Sequence, residues 1–219
     1  MKTCQLYLAL SVAVLAAGCS NIERSRNLAD PNVDGKVLAE QVCSMCHGLD
    51  GNSTSPAFPR LAGQPVAYIA NQLKAFRSHS RSDPAAMQYM WGLSRFLTDL
   101  QIVQLAAYYA QQSPSSPRQV DAKYLASGKE IFEHGVKGEK VVPACSECHG
   151  PNAQGNEAFP RLANQHADYI LKQLAVFQSK TGRLDTPMDQ VAPHLTDEQK
   201  QAIAAYLQAF NQARPSAAD

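Results

Sequence analysis

The chain has 219 residues, 45% of them hydrophobic and 7% aromatic, and a net charge of +1. Acids and bases are interspersed, which excludes a nucleic-acid binder held by a basic face. The length suits one large domain or two small ones, and so few aromatics would leave two small cores thin unless something besides side chains fills them.

The chain opens with Lys2 and an apolar run over residues 6–17, too short to span a membrane comfortably. It ends at Leu15-Ala16-Ala17-Gly18-Cys19. Residues 1–19 therefore read as an export signal, with a lipobox-like end that would make Cys19 the lipidated first residue. Leu15 stands one place early for that motif, and plain signal cleavage near Gly18 is the alternative. Residues 20–32 are polar and read as a tether.

A first domain is expected over residues 33–112. Its first helix runs over residues 35–42 and leads into Cys43-Ser44-Met45-Cys46-His47-Gly48. A loop follows, containing Ala57-Phe58-Pro59-Arg60-Leu61-Ala62. Pro65 opens a middle helix with Tyr68, Gln72 and Phe76 on one face. Thr98 and Gln101 form a capping box for the last helix, where Ile102, Leu105, Ala106 and Tyr109 make an apolar stripe.

Ser- and Pro-rich residues 113–120 read as a linker. The pattern then repeats over residues 121–213. A helix over residues 128–134 leads, by a longer connection, into Cys145-Ser146-Glu147-Cys148-His149-Gly150. Ala158-Phe159-Pro160-Arg161-Leu162-Ala163 repeats the earlier block unchanged. Gln165, Tyr169, Gln173 and Phe177 match Gln64, Tyr68, Gln72 and Phe76, and Thr196 and Gln199 repeat the cap. No segment shows strand alternation. The fold class is all-α, in two tandem copies of a small helical bundle.

Two thiols at this spacing can each add to a vinyl group of one porphyrin, and the next residue, His, then lies beneath the iron. Cys43, Cys46, Cys145 and Cys148 are thus expected to bind two haem c groups covalently, with His47 and His149 as first axial ligands. A zinc site would need further ligands for each pair, and a thioredoxin-like site would need a βαβ setting. The carbonyls of Pro59 and Pro160 are placed to accept the other ring N–H of each His, with Tyr68 and Tyr169 nearby. Met188 is the one Met of the second copy, and Met90 stands opposite it, at the same spacing ahead of the capping Thr. Met87 is the runner-up to Met90. His79, His134, His166 and His194 have no counterpart in the other copy and are expected at the surface.

The two CxxCHG motifs, the two FPRLA blocks followed by Gln, the Tyr-x-x-x-Gln-Leu-x-x-Phe helices and the Met before Leu-Thr-Asp resemble the cytochrome c4 family. The resemblance implies two tandem class I cytochrome c domains, each wrapped around one haem, and His/Met ligation in both. It also implies domains packed about a pseudo-twofold axis, and a Gly of the first helix meeting an aromatic of the last, with Gly35, Gly128, Tyr108 and Tyr206 as candidates. Pro65 in place of a His, which His166 keeps, and Asn164 in place of Gly63 are read as surface detail.

A six-coordinate iron has no position for substrate. The expectation is a periplasmic electron carrier of high potential, lipid-anchored at Cys19 or soluble, between a quinol-oxidising complex and a terminal oxidase or reductase. Its competitors are a haem enzyme or electron-entry subunit, of dihaem peroxidase or thiosulfate dehydrogenase type, with an open first haem, and a gas-binding module.

Overall fold

A computed structural model of the chain describes residues 25–138, 141–183 and 186–210. The segment read as an export signal, with Cys19, lies outside the described residues. Among the described residues the regular structure is helical; the strand-like pairings are two isolated bridges, Val136 with Val142 and Asn156 with Phe159. No described helix is long and apolar enough to cross a membrane.

In the first copy, α1 (Gly35–Leu38) starts on Asp34, whose side chain accepts from the Lys36 N–H. It does not stop where the sequence pattern weakens. A π-helical turn, Ala39–Cys43, carries it into α2 (Ser44–His47), so the cysteines and His ride on one continuous rod. Gly48 ends that rod at φ 80°, and Gly150 does the same in the second copy, a conformation that glycine adopts without strain. α3 (Val66–Arg77) follows Pro65. A second π-helical turn, Ala86–Met90, leads into α4 (Trp91–Ser94). α5 (Asp99–Ala110) begins with the complete Thr98–Gln101 capping box.

In the second copy a 3₁₀ turn, Ala122–Tyr124, precedes α6 (Leu125–His134), which thus starts ahead of the expected boundary. The longer connection to α7 (Cys145–His149) closes on the Val136–Val142 bridge. α8 (Ala167–Ser179), α9 (Met188–Val191), a 3₁₀ turn at Ala192–His194 and α10 (Asp197–Gln208) complete it, the last with the Thr196–Gln199 box.

Each copy buries its own core. Leu38, Ile69, Leu97, Ile102, Leu105 and Tyr109 form the first. Phe132, Ile170, Leu174, Phe177, Ile203 and Leu207 form the second. The crossing of first and last helices is close enough in the second copy that a Cβ on Gly128 would lie 2.2 Å from the Ala202 carbonyl and 2.6 Å from Tyr206 Cβ. The first copy departs from expectation: a Cβ on Gly35 would lie 2.5 Å from Gln104 Cβ, so Gly35 faces Gln104 rather than Tyr108. The Gln104 side chain accepts from the Gly35 N–H at 2.9 Å, which draws the contact one turn toward the start of α5. Tyr108 instead donates to the Leu49 carbonyl at 2.7 Å.

The copies meet through hydrogen bonds that come in reciprocal pairs, as a pseudo-twofold arrangement requires. Gln165 bonds the backbone of Arg60, and Gln64 bonds the backbone of Arg161. Arg81 reaches Gln72 and, across the interface, Gln173; Arg183 reaches Gln173 and, across it, Gln72. Each guanidinium also covers a Phe ring of its own copy, Arg81 on Phe76 at 4.6 Å and Arg183 on Phe177 at 4.5 Å.

Candidate functional site

An apolar-walled cavity of about 670 Å³ runs through both copies. Cys43, Cys46, His47 and Met90 lie on its walls in the first copy, and Cys145, Cys148, His149 and Met188 in the second. Pro59, Pro160, Tyr68 and Tyr169 line it as well. The apolar remainder comes from the two cores, with Ile69, Phe76 and Leu105 on one side and Ile170, Leu174 and Phe177 on the other. A flat apolar macrocycle suits such walls, and the space explains how two small cores persist with few aromatics.

His47 and His149 are each 8% exposed. Nδ1 of His47 lies 2.9 Å from the Pro59 carbonyl, and Nδ1 of His149 lies 2.9 Å from that of Pro160. A carbonyl only accepts, so Nδ1 carries the proton in both rings and Nε2 keeps its lone pair for a metal. Burial lowers both His pKa values, against the opposing pull of the proline carbonyls. Both are therefore neutral imidazoles near pH 7. Phe58 and Phe159 of the repeated block stand edge-on to the two rings, with centroids 6.2 Å away in each case. Burial pushes the Cys43 and Cys145 thiols up to about 11.

Met90 closes the π-helical turn, where its carbonyl accepts from Ser94 Oγ at 2.6 Å. The next residue, Trp91, stacks on His79 at 3.8 Å and donates to the Arg81 carbonyl at 2.8 Å, which ties this segment to the interface loop. Met188 is held at the start of α9, where Asp189 accepts from the Thr186 N–H at 3.0 Å. Met87 is 49% exposed and is not among the cavity-lining residues. Met45 is 78% exposed.

Of the four unmatched histidines, His79, His134 and His194 are exposed. His166 corrects the expectation: it is 1% exposed, and its Nε2 donates across the interface to the Ser53 carbonyl at 2.8 Å. Asn164, read as surface detail, is also buried there, and its carbonyl accepts from Arg60 Nη1. Burial chiefly lowers the His166 pKa; the Ser53 carbonyl opposes this, while Arg60 and Arg118 add to it. A base with a depressed folded pKa contributes stability that is present above its unfolded value and lost as pH falls through the folded one. The expected result is a thermal midpoint that drops below about pH 6.5 in the native chain. In His166→Gln, the drop should be smaller. Parallel pH profiles for the two proteins would remove His166 as the cause.

Sequence reasoning missed the interface set of Gln64, Gln72, Arg81, Gln165, Gln173 and Arg183. The signal was present: Gln72 and Gln173 recur on helix faces that otherwise carry Tyr and Phe, and Gln64 and Gln165 recur just ahead of those helices. Repetition of a polar residue beside apolar ones indicates a buried partner rather than solvent.

The fold and these walls define a protein of two tandem cytochrome c units, and the comparisons with known proteins agree. The cytochrome c family profile matches residues 33–113 and 125–211. The chain is 38% identical to cytochrome c4 of Thiocapsa roseopersicina over 194 residues, covering 84% of this chain and 95% of that one. It is 38% identical to the thiosulfate dehydrogenase electron acceptor of Thiomonas intermedia over 174 residues, covering 76% and 77%. The solved cytochrome c4 of Acidithiobacillus ferrooxidans is 41% identical, with a TM-score of 0.71, over 76% of this chain and 98% of that one. This chain belongs to the cytochrome c4 family, whose members carry two covalently attached haem c groups and transfer electrons.

Proposed function

We propose that this chain is an exported, high-potential electron carrier of the periplasm, held at the membrane by a lipid on Cys19. It would take electrons from a quinol-oxidising complex and pass them to a terminal oxidase or reductase. The observation that carries the reading is the repeated wall: each copy brings two cysteines, a neutral His and a Met to one apolar cavity.

In this reading Cys43 and Cys46 hold one haem by thioether bonds, and Cys145 and Cys148 the other. When bound, each haem iron supplies a one-electron couple. His47 and Met90 close the first iron, and His149 and Met188 the second. The protein's part is to fix the imidazoles through Pro59 and Pro160, to supply thioether sulfurs that favour the reduced state, and to keep water off the site. The domains would be those read from the sequence, residues 33–112 and 121–213 joined by 113–120.

A second reading follows from the likeness to a thiosulfate dehydrogenase electron acceptor. In it the chain receives electrons from a sulfur-oxidising enzyme, or serves as the electron-entry part of one with an open first haem. One set of measurements tests both. Closed sites give a ferric protein that is low-spin at both haems, with the weak red band of Met–iron ligation, and a reduced protein indifferent to carbon monoxide. Rapid CO binding at neutral pH would overturn the closed-carrier reading. Reduction by thiosulfate dehydrogenase, in preference to a quinol-oxidising complex, would favour the second donor. Mass spectrometry of the mature N-terminus decides whether Cys19 bears a lipid.

A further inference from the structure

The glutamine that follows each Phe-Pro-Arg-Leu-Ala block has no role in the reading above, yet both copies keep it buried, Gln64 at 4% exposure and Gln165 at 5%. Each backbone N–H bonds the Leu carbonyl of its own block, but the side chains reach the block of the opposite copy. Gln165 Oε1 accepts from the Arg60 N–H at 2.8 Å, and its Nε2 donates to the Arg60 carbonyl at 2.9 Å. Gln64 Oε1 accepts from the Arg161 N–H at 3.0 Å, and its Nε2 donates to the Arg161 carbonyl at 2.8 Å.

The Arg60 N–H belongs to the same peptide group as the Pro59 carbonyl. That carbonyl accepts the Nδ1–H of His47 at 2.9 Å. One amide group therefore has His47 on its oxygen and the opposite domain's glutamine on its nitrogen. The second copy repeats the arrangement with His149, Pro160, Arg161 and Gln64. A hydrogen bond accepted from an amide N–H shifts electron density toward that amide's oxygen, and chains of such bonds reinforce one another in a dry interior. A stronger acceptor at Nδ1 makes the imidazole a more basic metal ligand. A more basic ligand favours the oxidised metal.

We propose that Gln64 and Gln165 are reciprocal positioning residues, each setting through one amide group the donor strength of the axial His in the opposite domain. Docking of the two domains then lowers both midpoint potentials, and each haem's electron affinity depends on a side chain from the other half of the molecule. The inference rests on His47 and His149 being axial ligands.

The test uses the holoprotein, with redox titration followed by haem-methyl NMR so that the two haems are read separately. Gln165→Leu removes the acceptor from the Arg60 N–H. It should raise the reduced-to-oxidised ratio of the N-terminal haem about threefold at a fixed potential, about 30 mV at 59 mV per decade, and leave the C-terminal haem unmoved. Gln64→Leu should do the reverse. Gln165→Asn keeps a side-chain amide but draws it back by one methylene from the Arg60 peptide, so it should shift the N-terminal haem in the same direction as the Leu variant; it also carries the test if the Leu variant does not assemble. Shifts confined to the mutated domain's own haem, equal shifts in both, or none would overturn the proposal. An electron paramagnetic resonance spectrum of the unmodified protein lacking His/Met signatures would instead overturn the ligand assignment beneath it.

Discussion

Replacing Met90 by alanine is expected to open one iron and leave the other closed. The ferric spectrum should become part high-spin, and the reduced protein should bind carbon monoxide at the N-terminal haem alone, with the midpoint potential of that haem falling as the thioether is lost. Met87→Ala should leave spectrum, potentials and CO behaviour unchanged. The difference comes from placement. Met90 lines the cavity and has its backbone held by Ser94 and its neighbour Trp91 by the Arg81 carbonyl, whereas Met87 is 49% exposed and outside the lining. Visible absorption with CO titration distinguishes the two variants, and CO uptake by Met87→Ala would reverse the assignment. Met188→Ala should open the other haem in the same way.

The second large effect is expected at the domain interface. Arg81 Nε lies 2.9 Å from Asp83 Oδ2, and the pair is nearly dry, with side-chain exposures of 9% and 0%. Asp83 Oδ1 has no hydrogen-bond partner among the described residues. Removing the guanidinium strands a buried carboxylate, which costs about 3–5 kcal/mol. Arg81→Met should lower stability by that amount in denaturant unfolding. It should also weaken the docking of the copies, since Arg81 bonds Gln173 and Tyr169 across the interface and the adjacent Ser82 N–H bonds the Gly182 carbonyl. Adding Asp83→Asn to Arg81→Met should recover much of the loss by removing the unpaired charge. If the double variant is as unstable as the single one, the cost lies in the lost cross-domain bonds rather than in the stranded charge. Arg183→Met, whose guanidinium also bonds both Gln173 and Gln72, measures that second contribution by itself.

What was legible in the sequence was whatever depends on local chemistry or on repetition. The CxxCH strings state their chemistry within five residues, because thiols and imidazole must meet one macrocycle from a single helical turn. Capping boxes at Thr98 and Thr196 are equally local and are present in full. The register between copies set Met90 against Met188 with no knowledge of shape. Helix boundaries were less legible. The π-helical turn over Ala39–Cys43 lets α1 and α2 run on as one rod, and nothing in side-chain periodicity marks a single extra residue in a turn.

The sequence by itself determined the class of protein, the prosthetic group and the four cysteines and two histidines expected to hold it. Only the tertiary structure decided how the halves communicate. His166 and Asn164 looked like surface substitutions because a polar residue after a loop is ordinarily solvated, yet both are buried against the opposite copy. Gln64 and Gln165 bond residues roughly a hundred positions away, at a pseudo-twofold axis that no single copy contains. Hydrogen bonds between distant polar groups leave no periodic trace in the chain. They depend on which surfaces the two folded cores present to each other, and that follows only once both copies are folded and docked.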